Sequence, residues 1–421
     1  MATGVTPHKK ITKKKLPFFV DYDGKEEIDS VLSFVGSNFD RLIWNNGNSE
    51  NKFFFGDNLE VLSFLVRSGY RNKVKLVYID PPFATASDFL SRSLKHAYSD
   101  NLVGGEYIEF IRKRVIFIYQ LLMDEGTLYL HLDGTMAFAI KLILDEIFGA
   151  QNCRAFITRK KCSTKNYTKK TFGNVSDYIM VYTKSSQYTW NRPFIPWDED
   201  KIIEQYPYLD SKTGRRYKKV PIHAPGVRNG ETGKPWRGML PPPGKHWQYT
   251  PEKLDELDKA GEIYWSATGN PRRMVFCDQQ KGIPRQDIWL DFRDSINQSQ
   301  KTTGYPTEKN YDMLKMIVET SSNEGDIVLD CFAGSGTTLA AAYDLGRQWI
   351  GVDNSIESLK AIFKRFTLGL DTYGDYVISN KHIQQPLFNE ITPCVFSIFS
   401  EEKNFFEIEN LFQHNNKSNR I

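Results

Sequence analysis

The 421-residue sequence predicts an α/β fold: a mostly parallel, doubly wound sheet written in two segments, with an irregular insertion between them. Three observations predict it. Strand-like and helical runs alternate from about residue 41 to 150 and again from about 297 to 370. Runs such as Val74–Ile79 are apolar without alternation, the pattern of strands covered on both faces. Between 186 and 296 this order fades into a stretch rich in Pro, Gly, Trp, Tyr and basic side chains, punctuated by Pro241-Pro242-Pro243-Gly244. The chain thus divides into a basic N-terminal arm (1–40), a first half-domain (41–185), the insertion (186–296), a second half-domain (297–370) and a C-terminal extension (371–421).

The elements follow in order. Lys9, Lys10, Lys13, Lys14 and Lys15 make the arm basic, which suits a solvated tail able to touch phosphate. Lys52–Gly56 reads as a short aromatic strand. Asn58–Ser68 has helical spacing through Leu59, Leu62 and Leu65, and Val74–Ile79 is a buried strand. Tyr107–Met123 carries apolar residues at three- and four-residue steps, Thr127–Leu132 is a strand, and Met136–Phe148 is again helical. Pro251–Ala260 is a short helix within the insertion. Beyond it come helix Tyr311–Ser321, strand Ile327–Asp330, helix Thr337–Leu345, strand Trp349–Asp353 and helix Ile356–Phe366. Val395–Phe399 is strand-like, with no role that the sequence supplies.

Composition narrows the function. No apolar run approaches the ~20 residues of a membrane span, and Leu16–Val20 is too short for a secretory signal. The five cysteines (153, 162, 277, 331, 394) are scattered without a Cys-x-x-Cys pair, so neither a disulfide framework nor a metal site is expected, and a cytoplasmic location fits. The net charge is only +4, but residues 151–300 hold 26 Lys and Arg against 16 Asp and Glu, a surplus of ten. A basic middle within an acidic remainder suits contact with a polyanion, although a charge run is also the ordinary composition of a solvated face.

Two loops carry chemistry. In Val328-Leu-Asp330-Cys-Phe332-Ala-Gly334-Ser-Gly336-Thr337-Thr338 a buried strand passes through a glycine-rich loop into a helix. Glycines there let backbone approach a ligand, and the helix start offers free N–H groups. Asp353 ends the next strand, where an acid can accept from ribose hydroxyls. Leu339 stands where a nicotinamide fingerprint wants a third small residue. The other loop, Asp80-Pro81-Pro82-Phe83, follows Val74–Ile79. Its prolines remove two donors, leaving the Asp80 carboxylate, the Pro81 carbonyl and the flat Phe83 face, a set suited to an amino group on a planar heterocycle. Taken alone, each loop is also compatible with a tight turn that binds nothing.

Together these motifs resemble the DNA amino-methyltransferases that use S-adenosylmethionine, in particular the β class, whose catalytic motif precedes its cofactor motif. The resemblance covers roughly residues 50–185 and 297–366. Asp80-Pro81-Pro82-Phe83 is similar to that family's catalytic tetrapeptide, and Asp330–Thr338 to its cofactor loop. Gly304-Tyr-Pro-Thr307-Glu-Lys309 resembles its Pro-Thr-x-Lys cofactor motif, with Asn310 where members often carry proline. Phe55-Gly-Asp57-Asn58-Leu is similar to the segment whose Asp lies near the cofactor's adenine, and Asp177–Lys184 to the last core strand.

The resemblance implies a Rossmann-like methyltransferase fold in circularly permuted order, S-adenosylmethionine as cofactor and double-stranded DNA as partner. A separate restriction endonuclease and a homodimer are left open. Asp80, Pro81, Pro82 and Phe83 are the implied catalytic group. Asp57, Thr307, Lys309, Asp330, Phe332, Gly334, Gly336, Thr337 and Asp353 are the implied cofactor contacts. The insertion is the implied reader of the DNA site, with Arg215, Arg216, Lys218, Lys219, Arg237, Arg272 and Arg273 as candidate contacts beside Tyr217 and Trp236. His131 and Asp133 read as polar groups at a strand end or as pocket lining. The implied reaction is methyl transfer to adenine N6 after base flipping, with Asp80 and the Pro81 carbonyl accepting from the target amine and Phe83 stacking on the base. Asp in first place favours adenine, because cytosine-N4 members more often carry Ser there. The alternatives are cytosine-N4 methylation, or a catalytically silent DNA-binding module of the same fold.

Overall fold

The structure, a computed structural model, describes residues 20–82, 88–90, 96–99, 104–162, 170, 172–279, 281–294, 301–303, 305, 308–367, 371–372, 394–405 and 408. It divides into two compact units. One is built from the chain up to Asn191 and from Gln286 onward, and the other is Arg192–Arg285.

The first unit is organised on a ten-stranded sheet. Its strands in chain order are β1 (Arg41–Asn45), β2 (Lys52–Phe55), β3 (Val74–Ile79), β4 (Leu122–Leu132), β5 (Cys153–Lys160), β6 (Ser176–Thr183), β7 (Ile288–Trp289), β8 (Ile327–Asp330), β9 (Gln348–Asp353) and β10 (Ser397–Ser400). Their order across the sheet is β1-β10-β2-β9-β8-β3-β4-β6-β5-β7. The run from β10 to β4 is parallel throughout, whereas β1 and β6 run against their neighbours.

Strand alternation divides the apolar side chains between two cores. Val77 and Ile79 of β3 face a core shared with helices Asn58–Leu65, Gly104–Leu121 and Ala137–Phe148. Leu76 and Tyr78 face a core shared with helices Tyr311–Ser321, Thr337–Asp344 and Ile356–Thr367. Helices of the first half-domain thus cover one face and those of the second half cover the other, which is the doubly wound arrangement the sequence predicts. From β3 the chain proceeds to β4 on one side, and from β8 to β9 on the other. The adjacent pair β3/β8 is therefore the point where the winding reverses, and the carboxyl ends of strands at such a point flank a crevice.

Local differences have local reasons. The helix expected to reach Met123 stops at Leu121, and β4 begins at once with a register shift against β3 between Leu122 and Thr127, so Gly126 lies inside a bulged strand. Strand β5 is absent from the sequence reading because Arg154 and Arg159 break its apolar pattern. Arg159 is fully buried all the same, through partners distant in sequence. Ile288–Trp289, read as part of the irregular insertion, pairs in parallel with β5. The strand-like piece of the C-terminal extension becomes β10, between β1 and β2, with Phe399 stacked on Phe54 and Phe396 packed near Trp349. Asn310, where relatives of this pattern carry proline, caps its helix: its Oδ1 accepts from Met313 N–H at 3.0 Å, and its side-chain N–H₂ donates to the Arg293 carbonyl.

The second unit, Arg192–Arg285, holds a four-stranded antiparallel sheet and helix Pro251–Lys259, packed around Ile222, Trp236, Trp247 and Leu254. Thr250 caps that helix and Pro251 opens it, the arrangement its sequence encodes.

Candidate active site

Because β3 and β8 are adjacent and parallel, the two chemistry-bearing loops emerge side by side. Asp80 follows β3 and Asp330 ends β8, and with residues after β2 and β9 they line one cavity of about 530 Å³, a volume suited to a nucleoside-sized ligand. Of the residues singled out in the sequence, Asp57, Asp80, Pro81, Pro82, Lys309, Asp330, Phe332, Gly334, Thr337 and Asp353 line it. Gly336 lies immediately behind, at the start of helix Thr337–Asp344. Phe83 and Thr307 lie outside the described residues.

The glycine-rich loop is held by the two acids that flank it. Asp330 Oδ1 accepts from Phe332 N–H at 3.0 Å. Asp353 accepts from Gly334 N–H at 2.9 Å with Oδ2 and from Ser355 N–H at 2.9 Å with Oδ1. Gly334 and Gly336 have φ of +49° and +72°, and a Cβ on Gly336 would stand 2.8 Å from an Ile362 side-chain carbon. A buried ion pair fastens the next segment to this loop. Arg365 donates to the Ser335 carbonyl and to Glu308, whose second oxygen accepts from the Thr303 N–H and hydroxyl. Thr303 and Glu308 are thereby tied to the loop, and Lys309, next to Glu308, lines the cavity.

Several of these residues also have partners within the protein. Lys309 Nζ lies 2.9 Å from Asp80 Oδ2, so one of its partners belongs to the Asp80-Pro81-Pro82 loop. Asp57 caps helix Asn58–Leu65 through Oδ1, and its Oδ2 pairs with Arg114 at 3.2 Å. The Thr337 hydroxyl meets Ser335 and Arg365. Neither His131 nor Asp133 is among the cavity-lining residues. Asp133 caps the turn at Thr135. His131 is fully buried: its Nδ1 meets the Tyr78 hydroxyl at 2.8 Å, and its Nε2 lies 3.0 Å from Asp177, which also pairs with Arg159. Tyr78, Asp177, Arg159, Glu308 and Arg365 were not legible as site residues, because their partners come from other strands and helices.

The electrostatics follow from burial. Asp330 is pushed up to about 7, chiefly by burial and further by the Asp80 and Asp353 carboxylates, against the opposing Thr338 and Phe332 hydrogen bonds. Burial likewise raises Asp353. Burial works to raise Asp177 too, but His131 and Arg159 overcome it and hold that carboxyl well below the usual range. A cationic ligand beside Asp330 favours its ionised form. Below about pH 7 the protonated carboxyl offers no charge, so affinity for such a ligand should fall as pH drops, and binding near neutrality should release protons. Calorimetry with S-adenosylmethionine in buffers of different ionisation enthalpy measures this release, and Asp330→Asn should abolish it.

The candidate DNA contacts Arg215, Arg216, Lys218, Lys219, Arg237, Arg272 and Arg273 all lie in the Arg192–Arg285 unit, and many have partners within it. Arg215 is bidentate to Asp278 at 2.8 Å, Arg237 pairs with Asp255 and Asp258, and Arg273 meets Tyr249 and Glu262. Arg216 approaches the Tyr206 carbonyl, and the Lys218 ammonium lies over the Tyr206 ring. Strand pairing places Tyr208, Tyr217, Lys219, Tyr264 and Arg272 on one face of the small sheet, with Lys219 Nζ 3.5 Å from the Tyr264 ring centre and 3.9 Å from that of Tyr208.

Comparison with known proteins shows which family the chain resembles. A family profile described as DNA methylase (N6_N4_Mtase) matches residues 74–364. The type II methyltransferase M.EcaI of Enterobacter cloacae is 51% identical over 339 residues, 80% of this chain and 74% of that protein. The Mod subunit of the type III restriction-modification enzyme StyLTI of Salmonella typhimurium is 26% identical over 77% of this chain, which spans about half of that subunit's length. Among solved structures, M1.HpyAVI in complex with SAM overlays with a TM-score of 0.40 at 15% identity, covering 75% of this chain and 98% of that one. With its profile match embracing both chemistry-bearing loops, and 51% identity with M.EcaI over 80% of its length, the chain belongs to the N6/N4 DNA methylase family.

Proposed function

We propose that the protein is a site-specific DNA methyltransferase that moves a methyl group from S-adenosylmethionine to adenine N6 in duplex DNA after base flipping. The observation that carries this reading is the single cavity shared by the Asp80-Pro81-Pro82 loop and the glycine-rich loop. Its lining suits a nucleoside bearing a cation: backbone brought close at Gly334, the aromatic Phe332, and the carboxylates of Asp80, Asp330 and Asp353. S-adenosylmethionine supplies an electrophilic methyl group on a sulfonium. Asp353 and Gly334 would hold its ribose side, and Asp330 and Phe332 its methionine side. Asp80 and the Pro81 carbonyl would accept from the target amine, drawing its lone pair out of conjugation and fixing it in line, so that placement and fixed charge supply the rate. Phe83 would stack on the flipped base. Asp in first place of the tetrapeptide supports adenine. Sequencing of modified bases in DNA from cells expressing the protein should show N6-methyladenine at one short sequence; N4-methylcytosine there would overturn the base assignment.

We further propose that the Arg192–Arg285 unit reads the DNA site and that a separate restriction endonuclease shares that site. The Lys219/Arg272 face supports the first part, because cations beside aromatic rings, with Tyr208 exposed among them, suit phosphates and bases. Arg215, Arg237 and Arg273 would act there only after exchanging their internal acidic partners. Lys219→Ala and Arg272→Ala should each lower DNA affinity and reduce the log–log salt slope by about 0.9 where a phosphate contact is lost. S-adenosylmethionine binding should stay unchanged. Filter binding across a salt series checks both.

A further inference from the structure

Asp80 is held from one side only. Its Oδ2 accepts from Lys309 Nζ at 2.9 Å, whereas its Oδ1 is buried without a hydrogen-bond partner among the described residues. A buried carboxylate oxygen left unpaired is costly, so a site that keeps one is preorganised for a donor that arrives with the substrate. The groups around this carboxylate are charged and fixed. His131 stands 3.9 Å from Oδ1, with Tyr78 on its Nδ1 and Asp177 at its Nε2; Asp177 in turn pairs with Arg159, and Arg159 with Asp294. Lys309 and Arg159 are two cations set against the three carboxylates of Asp80, Asp177 and Asp294.

We propose that Lys309 is a positioning residue for the target base: it holds Asp80 oriented so that Oδ1 receives the amine N–H, rather than serving as a contact to the cofactor. The proposal rests on the methyl-transfer reading above and assigns Lys309 a different partner from the one its motif implies. The delivery of Lys309 follows from the Glu308–Arg365 pair, which fixes the residue next to it against the glycine-rich loop.

The test uses the full-length protein, a duplex carrying the site found by modified-base sequencing, and S-adenosylmethionine. Lys309→Gln should bind S-adenosylmethionine by calorimetry within about twofold of wild type. Its single-turnover methylation rate should fall about 10- to 150-fold, the range for losing one charge-assisted hydrogen bond. Lys309→Arg, which keeps a cation beside Asp80 Oδ2, should recover part of the rate. Calorimetry also establishes that the variants are folded. Two outcomes overturn the proposal: weakened cofactor binding with an unchanged single-turnover rate, which makes Lys309 a cofactor contact, or a rate loss that Lys309→Arg leaves unrecovered, which makes the cation beside Asp80 immaterial to the rate. An inactive wild type would instead refute the methyltransferase reading itself, so the two failures are distinguishable.

Discussion

Asp80→Ala should abolish methyl transfer while leaving S-adenosylmethionine binding nearly intact. The carboxylate follows a strand buried along its whole length, β3, and it enters the cavity beside the glycine-rich loop. Removing an acceptor that stabilises developing charge in such a site typically costs about two to three orders of magnitude. Here the loss should reach the upper end, because truncation also removes the carboxylate that lies 2.9 Å from the Lys309 ammonium. Asp80→Asn separates the two effects: it preserves shape and an acceptor oxygen but removes the charge. Rapid-quench single-turnover methylation gives the rate and calorimetry the affinity. A normal rate in Asp80→Ala would refute the assignment of this loop to the target base.

Gly336→Val should eliminate measurable S-adenosylmethionine binding. At φ +72° a β-branched residue is strained by about 1–3 kcal/mol. Its Cβ would stand 2.8 Å from Ile362 in a packed core, at a comparable overpacking cost. The strain falls on the helix start that shapes the loop. Asp353→Ala should act on the same loop from beneath, since its two oxygens hold the Gly334 and Ser355 N–H groups, and hydrogen bonds to a charged group contribute about 1.5–3 kcal/mol each. Calorimetry reads both variants, and circular dichroism melting separates loop distortion from unfolding. Unchanged affinity in both would place the cofactor elsewhere.

The site's legibility followed the range of the interactions that build it. The helices and strands around both loops were legible because their signals are local: the apolar run of Val74–Ile79, three- and four-residue spacing in Tyr311–Ser321, and glycines between a buried strand and a helix. The cap at Asp57 is equally local, lying one residue before its helix. Strand β5 was hidden because Arg159 makes sense inside a sheet only once Asp177 and Asp294 neutralise it. His131 looked like a polar strand end because the residues that bury it, Tyr78 and Asp177, belong to two other strands.

By itself the sequence determined the parallel α/β architecture, the two loops at strand ends and the residue types each loop presents. These rest on periodicity, glycine and proline geometry, and the order of neighbouring residues, all set within about ten positions of chain. Only the tertiary structure decided that β8 lies directly against β3, bringing Asp330 and Asp80 to one cavity from 250 residues apart in the chain. It alone decided that β10 fills the place between β1 and β2, and that Lys309 pairs with Asp80. Strand order and ion-pair choice depend on which buried surfaces and charges meet across the folded core, and no local stretch of chain encodes those meetings.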